Sequence, residues 1–258
     1  MRVARVQFRG SAETAEVMAG AYRILSGEHG GTEIGLDEAR LLPPAVPTKI
    51  VAVGWNFPAH IDEMVARLPK DKFSGVPDEP IIFLKPPSSL IGDGDAIVYP
   101  REATRVEHEG ELCLVVGAPL RRVTPREARA GVLGWACGND VTERDFQRRD
   151  KQWWRAKGYD TFAAVGPWLE TEAPVPEARI RTLVNGEVRQ EGRVRDMLRD
   201  PYEIVSFVSQ AMTLLPGDIL MLGTPPGVSE IHPGDIVTVD IEGLEALRNP
   251  VVAEAERG

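Results

Sequence analysis

A chain of 258 residues with 43% hydrophobic content can bury a proper core, either as one large domain or as a small domain joined to a larger one. Its 39 acidic against 30 basic residues leave a net charge of -9, and no Lys/Arg cluster interleaved with aromatics offsets it, which argues against a nucleic-acid partner. Met1-Arg2-Val3-Ala4-Arg5-Val6 lacks the apolar run of a secretion signal and no stretch approaches the ~20 apolar residues that span a bilayer, so the expectation is a cytoplasmic protein without a membrane partner.

The chain opens with a strand pattern, Arg2 to Phe8, followed by a stretch that reads as irregular and by Gly31-Thr32-Glu33-Ile34-Gly35-Leu36. Leu42-Pro43-Pro44-Ala45-Val46-Pro47 then forms a stiff linker, which predicts a small N-terminal domain with its linker over 1–45 and a main domain over 46–258. The main domain begins with the β-branched run Lys49 to Val53, bounded by Gly54.

Next, Gly54-Trp55-Asn56-Phe57-Pro58-Ala59-His60-Ile61-Asp62-Glu63 passes from strand to helix, with Pro58 tolerated in the first turn. His60 and Glu63, three apart, share a face, and a carboxylate beside an imidazole is the arrangement of a general base; a lone helical histidine can equally be a surface residue. The polar segment that follows, broken by Pro and Gly, makes 58–77 a candidate mobile cover. Lys85 ends the apolar strand Ile81 to Leu84, and Lys157 lies in Lys157-Gly158-Tyr159-Asp160; each could bind an anionic substrate or be a solvated charge.

Further strands are expected over Glu109 to Val116 and Val132 to Cys137. In His108-Glu109-Gly110-Glu111-Leu112 the two glutamates point to one face of a strand, their backbones ~6.6 Å apart at the usual rise. Leu112, Leu114 and Val116 fill the other face, so two like charges stand beside a buried segment, which is costly without a counter-ion. Asp140, just past the second strand, offers a third carboxylate. Three oxygens with no cysteine and no clear histidine ligand favour Mg²⁺ or Mn²⁺. On spacing alone, Glu109 and Glu111 could instead decorate a solvent-facing edge strand. Cys113 and Cys137, each in an apolar run, read as small buried hydrophobes without a disulfide.

Thr124-Pro125-Arg126-Glu127 and Asp200-Pro201-Tyr202-Glu203 each combine a capping residue, a first-turn proline and a glutamate, marking helix starts. The second helix keeps Ile204, Val205, Val208, Met212 and Leu215 at helical spacing up to Pro216. Pro216-Gly217-Asp218 and Pro233-Gly234-Asp235 are turns leading into the strands Ile219 to Leu222 and Ile236 to Ile241, an antiparallel signature. The whole reads as α+β and β-rich.

These segments resemble, from about residue 49 to 252, the fumarylacetoacetate hydrolase family. The motifs are the His60 segment, Phe83-Leu84-Lys85-Pro86, Glu109-Gly110-Glu111-Leu112, Asn139-Asp140-Val141-Thr142-Glu143-Arg144-Asp145, Lys157-Gly158-Tyr159-Asp160, Val184-Asn185-Gly186-Glu187 through Gln190, and Gly223-Thr224-Pro225-Pro226-Gly227-Val228. The resemblance implies a mixed β-sandwich or β-roll with a few flanking helices, and a Mg²⁺ or Mn²⁺ held by Glu109, Glu111 and Asp140. It also implies a mobile catalytic pair at His60 and Glu63, a substrate-binding lysine beside the metal at Lys157, pocket residues at Gln190 and Thr224, and a homodimer. Two departures, Phe57 where a tyrosine is usual and Arg193-Val194 where an Asn-Thr pair is usual, leave the substrate open, with Arg193 a possible receiver of a distal carboxylate. The implied substrate is a small 2-oxo or 2-hydroxy-diene dicarboxylic acid, and the implied activity is 2-hydroxyhepta-2,4-diene-1,7-dioate isomerase, or a linked decarboxylase, in aromatic catabolism. Acylpyruvate- or fumarylpyruvate-type C–C hydrolysis and oxaloacetate decarboxylation are the alternatives. From another class, a non-catalytic binding protein stabilised by the metal fits the same triad.

Overall fold

The computed structural model describes residues 1–66 and 76–255. Strands β1 (Arg2–Phe8), β2 (Ser11–Met18), β3 (Ala21–Ile24), β4 (Glu33–Gly35) and β5 (Arg40–Leu42) open the chain, so the stretch expected to be irregular is a meander of paired strands. The missed signal is the turn at Arg9-Gly10: both residues have positive φ, the backbone of a two-residue hairpin whose twist matches the flanking strands. These strands bury Val6, Phe8, Tyr22, Ile24 and Ile34 in a cluster of their own. The proline segment that follows lies on this sheet, with Arg5 donating to the Pro43 carbonyl at 2.9 Å.

The body continues with β6 (Ile50–Gly54), α1 (Pro58–Ala66), β7 (Ile81–Lys85), β8 (Leu90–Ile91), β9 (Ile97–Tyr99), β10 (Val106–Glu107) and β11 (Gly110–Val116). Then come α2 (Pro125–Ala130), β12 (Val132–Asp140), β13 (Thr142–Glu143), α3 (Arg144–Arg149), α4 (Trp154–Gly158) and β14 (Ala163–Glu170). Last are β15 (Arg179–Val184), β16 (Glu187–Arg193), α5 (Pro201–Ala211), β17 (Ile219–Met221), β18 (Ile236–Ile241) and β19 (Leu247–Ala253). Both expected capping boxes form, at Thr124 and Asp200.

A 12-stranded sheet runs in the order β4-β3-β2-β1-β14-β12-β11-β17-β6-β7, with β5 on β1 and β8 on β14; a five-stranded sheet runs β16-β15-β18-β19-β9. The pairings β6–β17, β8–β14 and β9–β19 are parallel, so both sheets are mixed rather than purely antiparallel. The main core lies between the two sheets, where Leu112, Leu114, Cys137 and Ala164 meet Ile180, Val239, Ile241 and Leu247. Alternate residues of the same central strands, Cys113, Val115, Ala136 and Val165, join a second cluster on the opposite face. A strand buried on both sides reads as a continuous apolar run, which is why charges at its end stand out. Both cysteines are free and buried; burial pushes the Cys113 thiol well up and the Cys137 thiol to about 12. Among the described residues, no helix is long and apolar enough to cross a membrane.

Candidate metal centre

The hairpin-like pairing of β11 with β12 sets Gly110 opposite Asn139 and Glu111 opposite Gly138. Glu109 and Asp140 extend the ladder: Asp140 N donates to the Glu109 carbonyl at 2.8 Å and Glu109 N to Asn139 Oδ1 at 2.9 Å. The consequence is convergence, with carboxylate oxygens of Glu109, Glu111 and Asp140 all within 4.8 Å of one another and all three side chains buried. Gly110 between them has no room for a side chain, because a Cβ there would lie 1.9 Å from Thr182 Oγ1.

Three buried cations serve this triad. Lys157 Nζ bridges Glu109 Oε2 at 2.6 Å and Asp140 Oδ2 at 2.5 Å, and Lys85 binds the other Asp140 oxygen and the Val141 carbonyl. Arg144 donates to Glu109 Oε1 at 2.6 Å, to Glu107 Oε2 at 2.8 Å and to Gln147 Oε1 at 2.6 Å. Burial opposes a charge on Glu109, but Lys157 and Arg144 outweigh it and hold that carboxyl well below the usual range. Glu111 is the opposite case: burial, then the charges of Asp140 and Glu109, push its carboxyl well above the usual range. Its polar contacts include the Gly223 N–H at 2.7 Å. The internal cations therefore compensate Glu109 and Asp140 but not Glu111. An oxygen-only donor set with uncompensated negative charge fits a hard divalent cation.

Gln190 and Thr224 support the triad-bearing segment. Fully buried Gln190 accepts through Oε1 from Gly110 N at 2.9 Å and His108 Nδ1 at 3.0 Å, and donates through Nε2 to Thr224 Oγ1 and the Pro225 carbonyl, each at 2.7 Å. Thr224 in turn donates to the Gly110 carbonyl at 2.8 Å. Both backbone polar groups of Gly110 are thus held, and the Gln190 Oε1 acceptor places a proton on His108 Nδ1, while Nε2 faces the Ser229 hydroxyl at 2.9 Å. Burial lowers the His108 pKa to about 4, which keeps the ring uncharged at neutral pH.

The triad forms the floor of a cavity of about 220 Å³, lined further by His60, Lys157, Arg144, Gln147, Arg148, Thr224 and an apolar wall of Trp55, Met64, Phe83 and Trp153. That volume is below the ~300–1,000 Å³ of drug-sized sites and suits a small acid. His60 Nδ1 lies 3.3 Å from Glu63 Oε2, and the same Glu63 oxygen accepts from Gly227 N at 3.0 Å, tying α1 to the loop that carries Thr224. Of the cover expected over 58–77, residues 67–75 lie outside the described residues; 58–66 is helix α1 with His60, Ile61 and Met64 buried.

The structure brings His60, Lys157 and Thr224 to the cavity with the triad; it places Glu63, Lys85 and Gln190 behind that lining, in contact with lining groups. Arg193 sits at the end of β16 with its guanidinium on the Glu177 carbonyl at 2.7 Å and is not among the lining residues of this cavity. Residues the sequence reading did not single out are Arg144, Gln147, Arg148, Trp55, Met64 and Trp153. Arg144, Gln147 and Arg148 follow Asp140 at four, seven and eight positions, and the short helix α3 brings all three to the cavity lining.

A β-rich α+β architecture with three buried carboxylates beneath a cation-lined cavity defines the class. The chain belongs to the fumarylacetoacetate hydrolase family, whose C-terminal model matches residues 49–252. The solved 5-carboxymethyl-2-hydroxymuconate delta-isomerase from Mycobacterium smegmatis is 38% identical, with 99% of this chain and 100% of that chain covered at a TM-score of 0.88. The 2,4-didehydro-3-deoxy-L-rhamnonate hydrolase of Sphingomonas sp. (strain SKA58) is 39% identical over 79% of this chain and 73% of its own. A maleylpyruvate hydrolase from Sphingobium sp. SYK-6, solved with manganese(II) and pyruvate, is 27% identical, with 99% of this chain and 100% of that chain covered at a TM-score of 0.80.

Proposed function

We propose that this protein is a Mg²⁺- or Mn²⁺-dependent enzyme that enolises small 2-oxo or 2-hydroxy-diene dicarboxylic acids, working as a 2-hydroxyhepta-2,4-diene-1,7-dioate-type isomerase or linked decarboxylase. The observation that carries this reading is the undercompensated triad on the floor of a cavity that also exposes a histidine and committed cations. Glu109, Glu111 and Asp140 would hold the divalent ion, which would supply Lewis acidity toward a 2-oxo acid.

The chain's own groups do the rest. Lys157 and Arg144, fixed by two carboxylates each, add positive charge where an enolate oxygen develops, at no reorganisation cost. His60 has Nδ1 turned to Glu63, which leaves Nε2 as the proton acceptor for the cavity. In an isomerase, His60 takes a proton from one carbon and the conjugate acid returns it to another. The apolar wall of Trp55, Phe83 and Trp153 keeps the carbon chain away from water.

A second reading, acylpyruvate-type C–C hydrolysis, is favoured by the His60–Glu63 pair itself, which is also built to activate water. NMR product analysis with Mg²⁺ separates them, using a 2-hydroxydienedioate and, separately, an acylpyruvate, each with an EDTA control. EDTA-sensitive double-bond migration or CO₂ loss supports the first reading, whereas cleavage of the acylpyruvate to pyruvate and an acid makes the enzyme a hydrolase. Turnover of neither removes both.

A further inference from the structure

The cations around the cavity differ in what they are already bonded to. Lys85, Lys157 and Arg144 are buried and each is satisfied by the carboxylates of the floor or by Glu107. On α3 and beyond it, Arg149 and Arg155 turn onto Asp150 at 3.6 and 2.7 Å and cover the Phe146 ring at 4.5 and 4.1 Å. Arg148 differs from Arg149 and Arg155 in lining the cavity rather than covering Phe146. Its side chain is 37% exposed, and its ion pair with Asp145 is long at 3.7 Å with Asp145 itself half in solvent. An exposed pair of that length is weak.

The lining also holds an aromatic wall. Trp153 packs edge-on against Phe83 with ring centroids 5.3 Å apart and lies close over Gly54, where a Cβ would crowd the indole at 3.2 Å. The lining thus combines a carboxylate floor, flat apolar side chains and, at the partly exposed rim, an Arg148 guanidinium held only by a long ion pair. In a chain of net charge -9, that rim also supplies local attraction for an anion.

We infer that Arg148 is the specificity-determining residue for a second carboxylate, so that the site takes short dicarboxylates with the 2-oxo acid end on the floor, the carbon chain along Trp153 and Phe83, and the distal carboxylate paired with Arg148. A guanidinium matches a carboxylate with two parallel hydrogen bonds. This rests on the reading of the floor as a metal centre for 2-oxo acids.

Calorimetric binding of pyruvate and of 2-oxoadipate to the Mn²⁺-loaded protein tests it. Arg148→Met is expected to weaken 2-oxoadipate about 10–100-fold, the loss of a charged hydrogen-bonded pair, and to change pyruvate less than about twofold. Arg193→Met is expected to leave both ligands alone. Equal affinity of wild type and Arg148→Met for 2-oxoadipate, or equal loss of both ligands, overturns the role of Arg148. Failure of wild type to bind either ligand, or binding indifferent to Mn²⁺, overturns the metal-centre reading instead and takes this inference with it.

Discussion

Replacing Gln190 with leucine separates support of the triad from contact with substrate. Leucine keeps the volume but removes the acceptor of Gly110 N and His108 Nδ1 and the donor to the Pro225 carbonyl. Four buried polar groups lose a partner, of which Thr224 Oγ1 keeps its bond to the Gly110 carbonyl, so three are counted as losing their Gln190 bond outright. At ~1–3 kcal/mol for each buried unsatisfied group, and with some relaxation, destabilisation on the order of 3–6 kcal/mol follows. That is a large share of the ~5–15 kcal/mol typical of a folded protein. Because Gly110 separates Glu109 from Glu111, loosening it is also expected to weaken metal binding ~10–100-fold, as lost outer contacts of a metal site do. Urea unfolding measures the first effect, and competition with a chelating dye measures the second. A Gln190→Leu protein with wild-type unfolding and metal affinity but a raised KM would refute the reasoning and make Gln190 a substrate contact.

Other substitutions probe the remaining links. Glu111→Gln is expected to abolish metal binding while leaving the metal-free protein as stable or more so, since its carboxyl is already held toward the protonated form; Asp140→Asn, which strips a charge from both Lys85 and Lys157, is expected to destabilise it, and thermal unfolding with EDTA compares the two. His60→Ala is expected to remove double-bond migration and acylpyruvate cleavage alike while leaving Mn²⁺ binding unchanged, read by NMR turnover and dye competition; isomerisation that survives in His60→Ala would take the proton-transfer role from His60. Gly110→Ala drives a methyl group into Thr182 and is expected to cost ~1–3 kcal/mol or more, partly recovered by adding Thr182→Ala, as a double-mutant cycle in urea would show. His108, with a folded pKa of about 4 against 6.5 unfolded, contributes stability that is complete above pH 6.5 and is lost as pH falls toward 4, up to about 3 kcal/mol; unfolding at pH 7 and 5 should show a shallower dependence in His108→Gln.

Much of the body was legible in the sequence because its signals are local. The capping boxes at Thr124 and Asp200, the turns before Ile219 and Ile236, and the alternation of Leu112 and Leu114 against Cys113 and Val115 are each read within one element. The start of the meander gives little local signal because the β1–β2 turn rests on positive φ at Arg9 and Gly10, where an arginine gives no composition cue. At the site, spacing indicated that Glu109 and Glu111 share a face, but only the β11–β12 register brings Asp140 to them. Gln190 and Thr224 were expected at the pocket, and their hydrogen bonds to Gly110 depend on elements 80 and 114 residues away. Arg193 ends β16 on the Glu177 carbonyl, whereas Arg148 reaches the cavity lining through helix α3, which no local spacing signals.

The most direct test is solvent deuterium incorporation at C3 of 2-oxoadipate, followed by NMR with EDTA-stripped protein before and after Mg²⁺ is restored. The account predicts exchange at the buffer rate without metal, acceleration with Mg²⁺, and no acceleration in Glu111→Gln with Mg²⁺ present. Acceleration that ignores EDTA, or that survives in Glu111→Gln, would contradict it.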